Sequence, residues 1–233
     1  MRPRALVPAR LLARENRFRI LAQVDGRRVV LACRDPGRME QVLVPGAELR
    51  VSLENVAGRR TQGTVWLARD ARTWVCVVPV LANRLFEAAL YHDGLPGLAG
   101  AEHSGAEVTE GRSRFDFALR YRGREWLAEV KSVGVAQNGI ALFPDAPTQR
   151  GARHLRELAE HARSGRASLV AFVVQRSDAR EVRADGRIDP EFVTALAEAR
   201  RAGVLIRAWG CSVSPRGLRI DRRLPVRAPL RPS

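Results

Sequence analysis

The sequence predicts a small closed β-barrel of five strands followed by a larger mixed α/β domain. Three observations predict it. Up to about residue 80 the chain reads as short apolar segments separated by turn dipeptides, with no helical period. Beyond it, helical and strand-like segments alternate. The excess positive charge is gathered at the two ends, marking segments of different surface chemistry.

The barrel strands are expected at 18–24, 27–32, 47–53, 64–68 and 73–78. Asp25-Gly26 between the first two is a two-residue hairpin signal. Arg69-Asp70-Ala71-Arg72 links the last two. Five short strands in this length suit an oligonucleotide-binding barrel, and an SH3-like barrel gives nearly the same pattern.

From residue 82 to 91 the apolar positions Leu85, Ala88 and Ala89 mark a helix, closed by Asp93-Gly94. Strands are expected at 107–109, 114–121 and 124–133. Thr148 opens a helix through Ala162, and 168–174 is a buried-type strand. Asp189-Pro190 is a helix start, with Asp as cap and Pro in the first turn. That helix runs to Arg201 and Gly203 ends it; 204–209 is a further strand. The domains predicted are therefore 1–80, 81–215 and a basic, mobile tail at 216–233.

Composition narrows the function classes. Of the 233 residues, 45% are apolar and 28% charged, a globular balance. No apolar run is long enough for a membrane span, and no signal peptide is evident, so a cytoplasmic protein is expected. Cys33, Cys76 and Cys211 are far apart and odd in number, which argues against a disulfide framework or a zinc cluster. The net charge is +15, with +8 in residues 1–80 and +5 in 216–233. Such segregation favours a polyanion, and the partner expected is nucleic acid, DNA before RNA. A small-molecule sensor is disfavoured by the same charge.

Of forty basic side chains, thirty-nine are Arg and one, Lys131, is Lys. A lone Lys in an Arg-rich chain belongs where a compact ammonium is needed rather than a planar fork. It lies in a hairpin. If Arg122-Gly123 is the turn, paired positions sum to 245 and Asp116 faces Glu129, with Glu129 and Lys131 on one face. Two carboxylates so placed repel unless a cation joins them, and Mg²⁺ or Mn²⁺ takes such oxygen ligands. Without a cation the same trio reads as an ordinary solvated sheet face.

Asp116 followed by Glu129-Val130-Lys131 in this α/β order resembles the PD-(D/E)xK nuclease superfamily, with Phe115 where Pro is usual. The whole chain resembles the sugar fermentation stimulation protein A family. The matching stretches are Ala82-Asn83-Arg84-Leu85, Ser113-Arg114-Phe115-Asp116-Phe117, Glu129-Val130-Lys131-Ser132-Val133 and Phe143-Pro144-Asp145-Ala146. Thr148-Gln149-Arg150-Gly151 and His154-Leu155-Arg156-Glu157-Leu158 complete them. Where the family usually shows Pro-Asn-Thr-Gly, this chain reads Arg34-Asp35-Pro36-Gly37. The resemblance implies an oligonucleotide-binding barrel joined to a PD-(D/E)xK nuclease-like domain. It also implies DNA binding and a link to sugar (maltose) utilisation. Asp116 and Glu129 would hold Mg²⁺, and Lys131 would position the attacking water.

Supporting candidates are Glu107 on the neighbouring strand, and Arg150 and His154 one turn apart on the following helix. His154 and His161 recur seven residues apart without a further zinc ligand. Trp66 and Trp74 are candidate base-stacking rings that strand spacing also suits to a core. Arg27, Arg28, Arg59 and Arg60 lie near loops and are candidate phosphate contacts. The expectation is a DNA-binding protein with a metal-dependent phosphodiesterase site; the alternative is a non-catalytic DNA-binding regulator of sugar utilisation genes.

Overall fold

A computed structural model describes residues 6–54, 58, 60–111 and 113–230. Strands β1 (Val7–Asn16), β2 (Arg19–Val24), β3 (Arg27–Ala32), β4 (Glu48–Leu53) and β5 (Gly63–Asp70) lie in the order β3-β2-β1-β4-β5. A parallel contact between Ala32 and Thr64 brings β5 back to β3 and closes the barrel. Its core is Leu11, Ile20, Leu31, Leu49 and Val65 with their neighbours.

Two details depart from the sequence reading. β1 was not expected: Ala9-Arg10-Leu11-Leu12-Ala13-Arg14 has helix-forming composition and no strict alternation. It is a strand because β2 and β4 pair with it on either side. The strand expected last in the barrel is instead a sixth, β6 (Thr73–Cys76), laid on β5 outside the closure.

The second domain opens with α1 (Val80–Ala88), which ends in a single π-turn at 89–93. The rest follows as β7 (Glu102–Glu110), β8 (Ser113–Tyr121), β9 (Arg124–Val133), β10 (Ala136–Gln137), β11 (Ile140–Phe143), α2 (Gln149–Arg163), β12 (Ala167–Val174), β13 (Glu181–Ala184), α3 (Pro190–Arg201), β14 (Leu205–Ser214) and β15 (Gly217–Leu224). The main sheet has the order β15-β14-β12-β9-β8-β7. β9, β12 and β14 run parallel in its middle, with antiparallel strands at both edges.

Both faces of this sheet are covered, which is why β12 is apolar but for the buried Ser168. Leu169, Ala171 and Val173 meet α1 and Trp209 on one side. Val170, Phe172 and Val174 meet α2 and α3 on the other. The helix starts are as the sequence predicts. Thr148 caps α2 by accepting from Gly151 N at 3.1 Å. Asp189 caps α3 by accepting from Phe192 N at 2.9 Å, while its other oxygen accepts from Thr148 N at 2.8 Å. One carboxylate thus fixes both helix starts.

The mobile tail expected at 216–233 is a correction. β15 pairs along its length with β14, burying Leu218, Ile220 and Leu224. The chain then crosses to β13, where Val226 bridges Val182 and Leu230 bridges Asp185. The Arg side chains obscured an alternating apolar pattern.

The two parts share a seam. Cys76 N donates to Gln175 O at 3.0 Å. Arg176, 3% exposed, reaches Asp70 of the barrel at 3.0 Å and Asp178 at 2.6 Å. The three cysteines are buried and free. Among the described residues no helix is long and apolar enough to cross a membrane.

Candidate functional site

The hairpin forms as the turn chemistry predicts. Arg122 and Gly123 both take positive φ, and the pairs from Tyr121–Arg124 to Phe117–Ala128 sum to 245. The ladder stops there, one pair short of Asp116 and Glu129. Asp116 replaces the missing backbone bond with its side chain: Oδ2 accepts from Val130 N and Oδ1 from Asn83 Nδ2, each at 2.7 Å. α1 thereby reaches the site through Asn83.

Glu129 and Lys131 stand on the α2 side of β9. Glu129 Oε1 accepts from Lys131 Nζ at 2.8 Å and pairs with His154 Nδ1 at 2.7 Å. Arg150 Nε donates to His154 Nε2 at 3.3 Å. That bond makes Nε2 the acceptor, so the ring proton sits on Nδ1 and is donated to Glu129. Glu129 Oε2 is buried and has no hydrogen-bond partner among the described residues. The side chains are recessed, Glu129 at 7% exposure and Lys131 at 11%.

The electrostatics differ between the two acids. Burial pushes the Asp116 carboxyl above the usual range and the Glu129 charge adds to it, against the Val130 N–H and Asn83 bonds. Burial alone would raise Glu129 too, but the His154 and Lys131 contacts outweigh it and hold this carboxyl below its ordinary value. A cation facing both would lower Asp116 as well.

The donor set fits a hard divalent cation. A buried, unpartnered carboxylate oxygen beside a second carboxylate is what such an ion satisfies, with water and phosphate oxygens completing its shell. Among the described residues no three or more His, Cys, Asp or Glu side chains gather at metal-ligand spacing. That set does not suit zinc, which takes three or four protein ligands.

Other expected residues are placed variously. His154 joins the cluster, and Arg150 adjoins it from the surface. Glu107 does not: it lies on the edge strand β7 with φ +53°, 71% exposed and 3.5 Å from Arg114. His161 is buried against Ser168 Oγ. Trp66 donates to Ser52 and packs on the core, while the guanidiniums of Arg50 and Arg69 lie over Trp74 at 4.7 and 5.1 Å. Neither ring is a free stacking platform. Arg27, Arg28 and Arg60 are exposed on the barrel, outside the cluster, and Arg59 lies outside the described residues.

Three participants had no role in the sequence reading. Asn83 belongs to a stretch singled out only for resemblance. Asp35 and Asp145 come from the barrel loop and from the turn before α2. Gly37 N donates to Asp35 Oδ1 at 2.7 Å, and Met39 N donates to Asp145 Oδ2 at 3.3 Å. A Cβ on Gly37 would meet the Asp145 carboxylate, which would have to swing aside, so the loop passes close to Asp145 here. Burial, with Asp145 nearby, pushes Asp35 up to about 6. Loop and turn wall a cavity of about 500 Å³ whose lining includes Asn83 and Lys131.

The family model described as the SfsA N-terminal OB domain matches residues 12–77, and that of the sugar fermentation stimulation protein RE domain matches 80–217. A sugar fermentation stimulation protein homolog of Moorella thermoacetica is 42% identical over 216 residues, covering 91% of this chain and 93% of the relative. The chain belongs to the sugar fermentation stimulation protein family. Its homolog in Chloroflexus aurantiacus is 40% identical, covering 95% of this chain and 85% of that one. The solved structure of Pyrococcus furiosus SfsA in complex with Ca²⁺ is 28% identical, with a TM-score of 0.88 over 97% of this chain and 98% of that chain. The barrel followed by a mixed α/β domain is thus the family's architecture.

Proposed function

We propose that this family member is a DNA-binding phosphodiesterase that uses Mg²⁺, or Mn²⁺ in its place, at Asp116 and Glu129. The observation that carries the reading is the buried, unpartnered Glu129 Oε2 beside Asp116 and Lys131. The printed title of the Pyrococcus furiosus structure names Ca²⁺, another hard divalent cation that takes oxygen ligands, and lends support to a divalent metal in this family member.

In hydrolysis a water oxygen forms a bond to phosphorus, the P–O ester bond breaks, and the leaving alkoxide takes up a proton while the water gives one up. A divalent cation, when bound, neutralises charge developing on the phosphate. Lys131 adds a second positive charge and a donor with which to orient the water or a phosphate oxygen. His154 holds Glu129 Oε1, leaving Oε2 available to a cation. The Asn83 and Val130 N–H bonds orient Asp116 and oppose the rise that burial and the Glu129 charge give its carboxyl.

Thermal melts in Mg²⁺, Mn²⁺ and chelator, alongside a nuclease assay, test this. Wild type gains RT ln(1 + [L]/Kd), about 2.7 kcal/mol at a hundredfold excess. Asp116→Asn and Glu129→Gln lose most of that gain, and metal-free Asp116→Asn melts no lower than metal-free wild type. Lys131→Ala keeps the metal response and loses cleavage. An identical metal response in wild type and both carboxylate variants defeats the reading. A metal response with no strand cut favours a non-catalytic DNA-binding regulator, the role to which the relatives' name lends weight.

A further inference from the structure

The cavity that Lys131 and Asn83 line, beside the acid cluster, is built from both domains. α1 supplies Asn83 and Val80, β9 supplies Lys131, the barrel supplies Asp35, Gly37 and Met39, and the turn before α2 supplies Asp145. The barrel wall is fixed in place. Arg14 donates to the carbonyls of Gly37, at 3.0 Å, and Arg38, tying the loop to the β1–β2 hairpin. Met39 N and the close pass of Gly37 bind the same loop to Asp145. A phosphate that approaches Lys131 through this cavity therefore does so beneath a wall hydrogen-bonded to both domains.

The volume of about 500 Å³ equals a sphere about 10 Å across. Small-ligand sites occupy roughly 300–1,000 Å³, which is room for one nucleotide. A double helix, with a major groove alone about 12 Å wide, does not enter such a space. The lining suits a nucleotide: Lys131 and Arg17 for phosphate, and the half-buried Phe143 with the exposed Val80 for the face of a base. Arg17 stands at the tip of the β1–β2 hairpin, exposed, with no ion pair among the described residues.

We propose that this cavity receives one unpaired nucleotide, so that the site takes single-stranded nucleic acid in preference to an intact duplex. The proposal rests on the phosphodiesterase reading for its chemistry, but binding alone tests it. Val80 is 52% exposed on the cavity lining at the start of α1, so Val80→Trp narrows the space without entering the core.

The experiment measures anisotropy of a short labelled oligonucleotide, as DNA and as RNA, single-stranded and annealed, with Ca²⁺ present. Cleavage of the same strands is followed in Mg²⁺. Single strands bind about tenfold or more tighter than duplexes, ~1.4 kcal/mol. Val80→Trp weakens that binding while keeping the metal-induced melting shift. Arg17→Ala lowers the slope of log K on log salt by about 0.7, the value for one phosphate of a single strand. Preference for either DNA or RNA single strands supports the proposal and identifies the sugar. Equal binding of duplex and single strand, or single-strand binding unchanged in Val80→Trp, overturns it. Absence of cleavage in every arm defeats the phosphodiesterase reading and leaves the binding comparison to decide this one.

Discussion

Asp35 shows what one side chain can cost. Its carboxyl titrates near 6 because it is buried close to Asp145, whereas an unfolded Asp titrates near 3.9. The folded state therefore holds more protons between these values, and stability falls as pH rises through that window. Two units correspond to about 3 kcal/mol at neutral pH. Asp35→Asn keeps an acceptor for Gly37 N, removes the charge, and restores the residue usual in the family's loop. Denaturant melts of the variant should show a gain at pH 7 that vanishes near pH 4. No gain at pH 7 would mean that the charge is met by a partner in solution. The trio was legible because its evidence is local: a turn dipeptide, a pair sum and a solitary Lys131. The His154–Glu129 contact was not, because 25 residues separate its ends and only the lie of α2 across β9 joins them.

Among the elements, those with strong local signals were read correctly. β12 is apolar but for Ser168, and α3 begins at Asp189-Pro190. β1 and β15 were missed because neighbours, not propensity, make them strands. The segment after β15 also has a structural task. Val182 N donates to Pro225 O, Arg227 N to Val182 O, Leu230 N to Ala184 O and Gly186 N to Leu230 O. A Cβ on Gly186 would lie 2.6 Å from Leu230 O, so the strap passes there only over glycine. Ending the chain at Leu224 should cost about 1–2 kcal/mol after the ordering entropy of the strap is returned, and lower Tm by a few degrees. Gly186→Ala should act in the same direction. A truncated protein with the full-length Tm would show that the strap contributes nothing.

At the scale of the molecule, the charge of +15 was the most direct sequence signal for a polyanionic partner. Arg27 and Arg28 are exposed on the barrel and lie outside the acid cluster. Replacing both with Ala should weaken binding to all DNA sequences alike and flatten the salt dependence, by about 0.9 in log–log slope for each duplex phosphate lost. A change confined to one sequence would make these residues base readers instead.

The seam between the two parts has a thermodynamic consequence. Leu67 and Cys76 of the barrel lie in the same apolar cluster as Phe86, Phe117 and Trp209 of the second domain. Unfolding the barrel alone would strip that cluster and leave the Arg176 guanidinium without Asp70 in a nearly dry site. Neither part then has a melting temperature of its own. Calorimetry should record one peak whose van't Hoff and calorimetric enthalpies agree, and two resolved peaks would show the halves to be independent. The cavity wall and the acid cluster beside it would form and vanish together, in a single cooperative step.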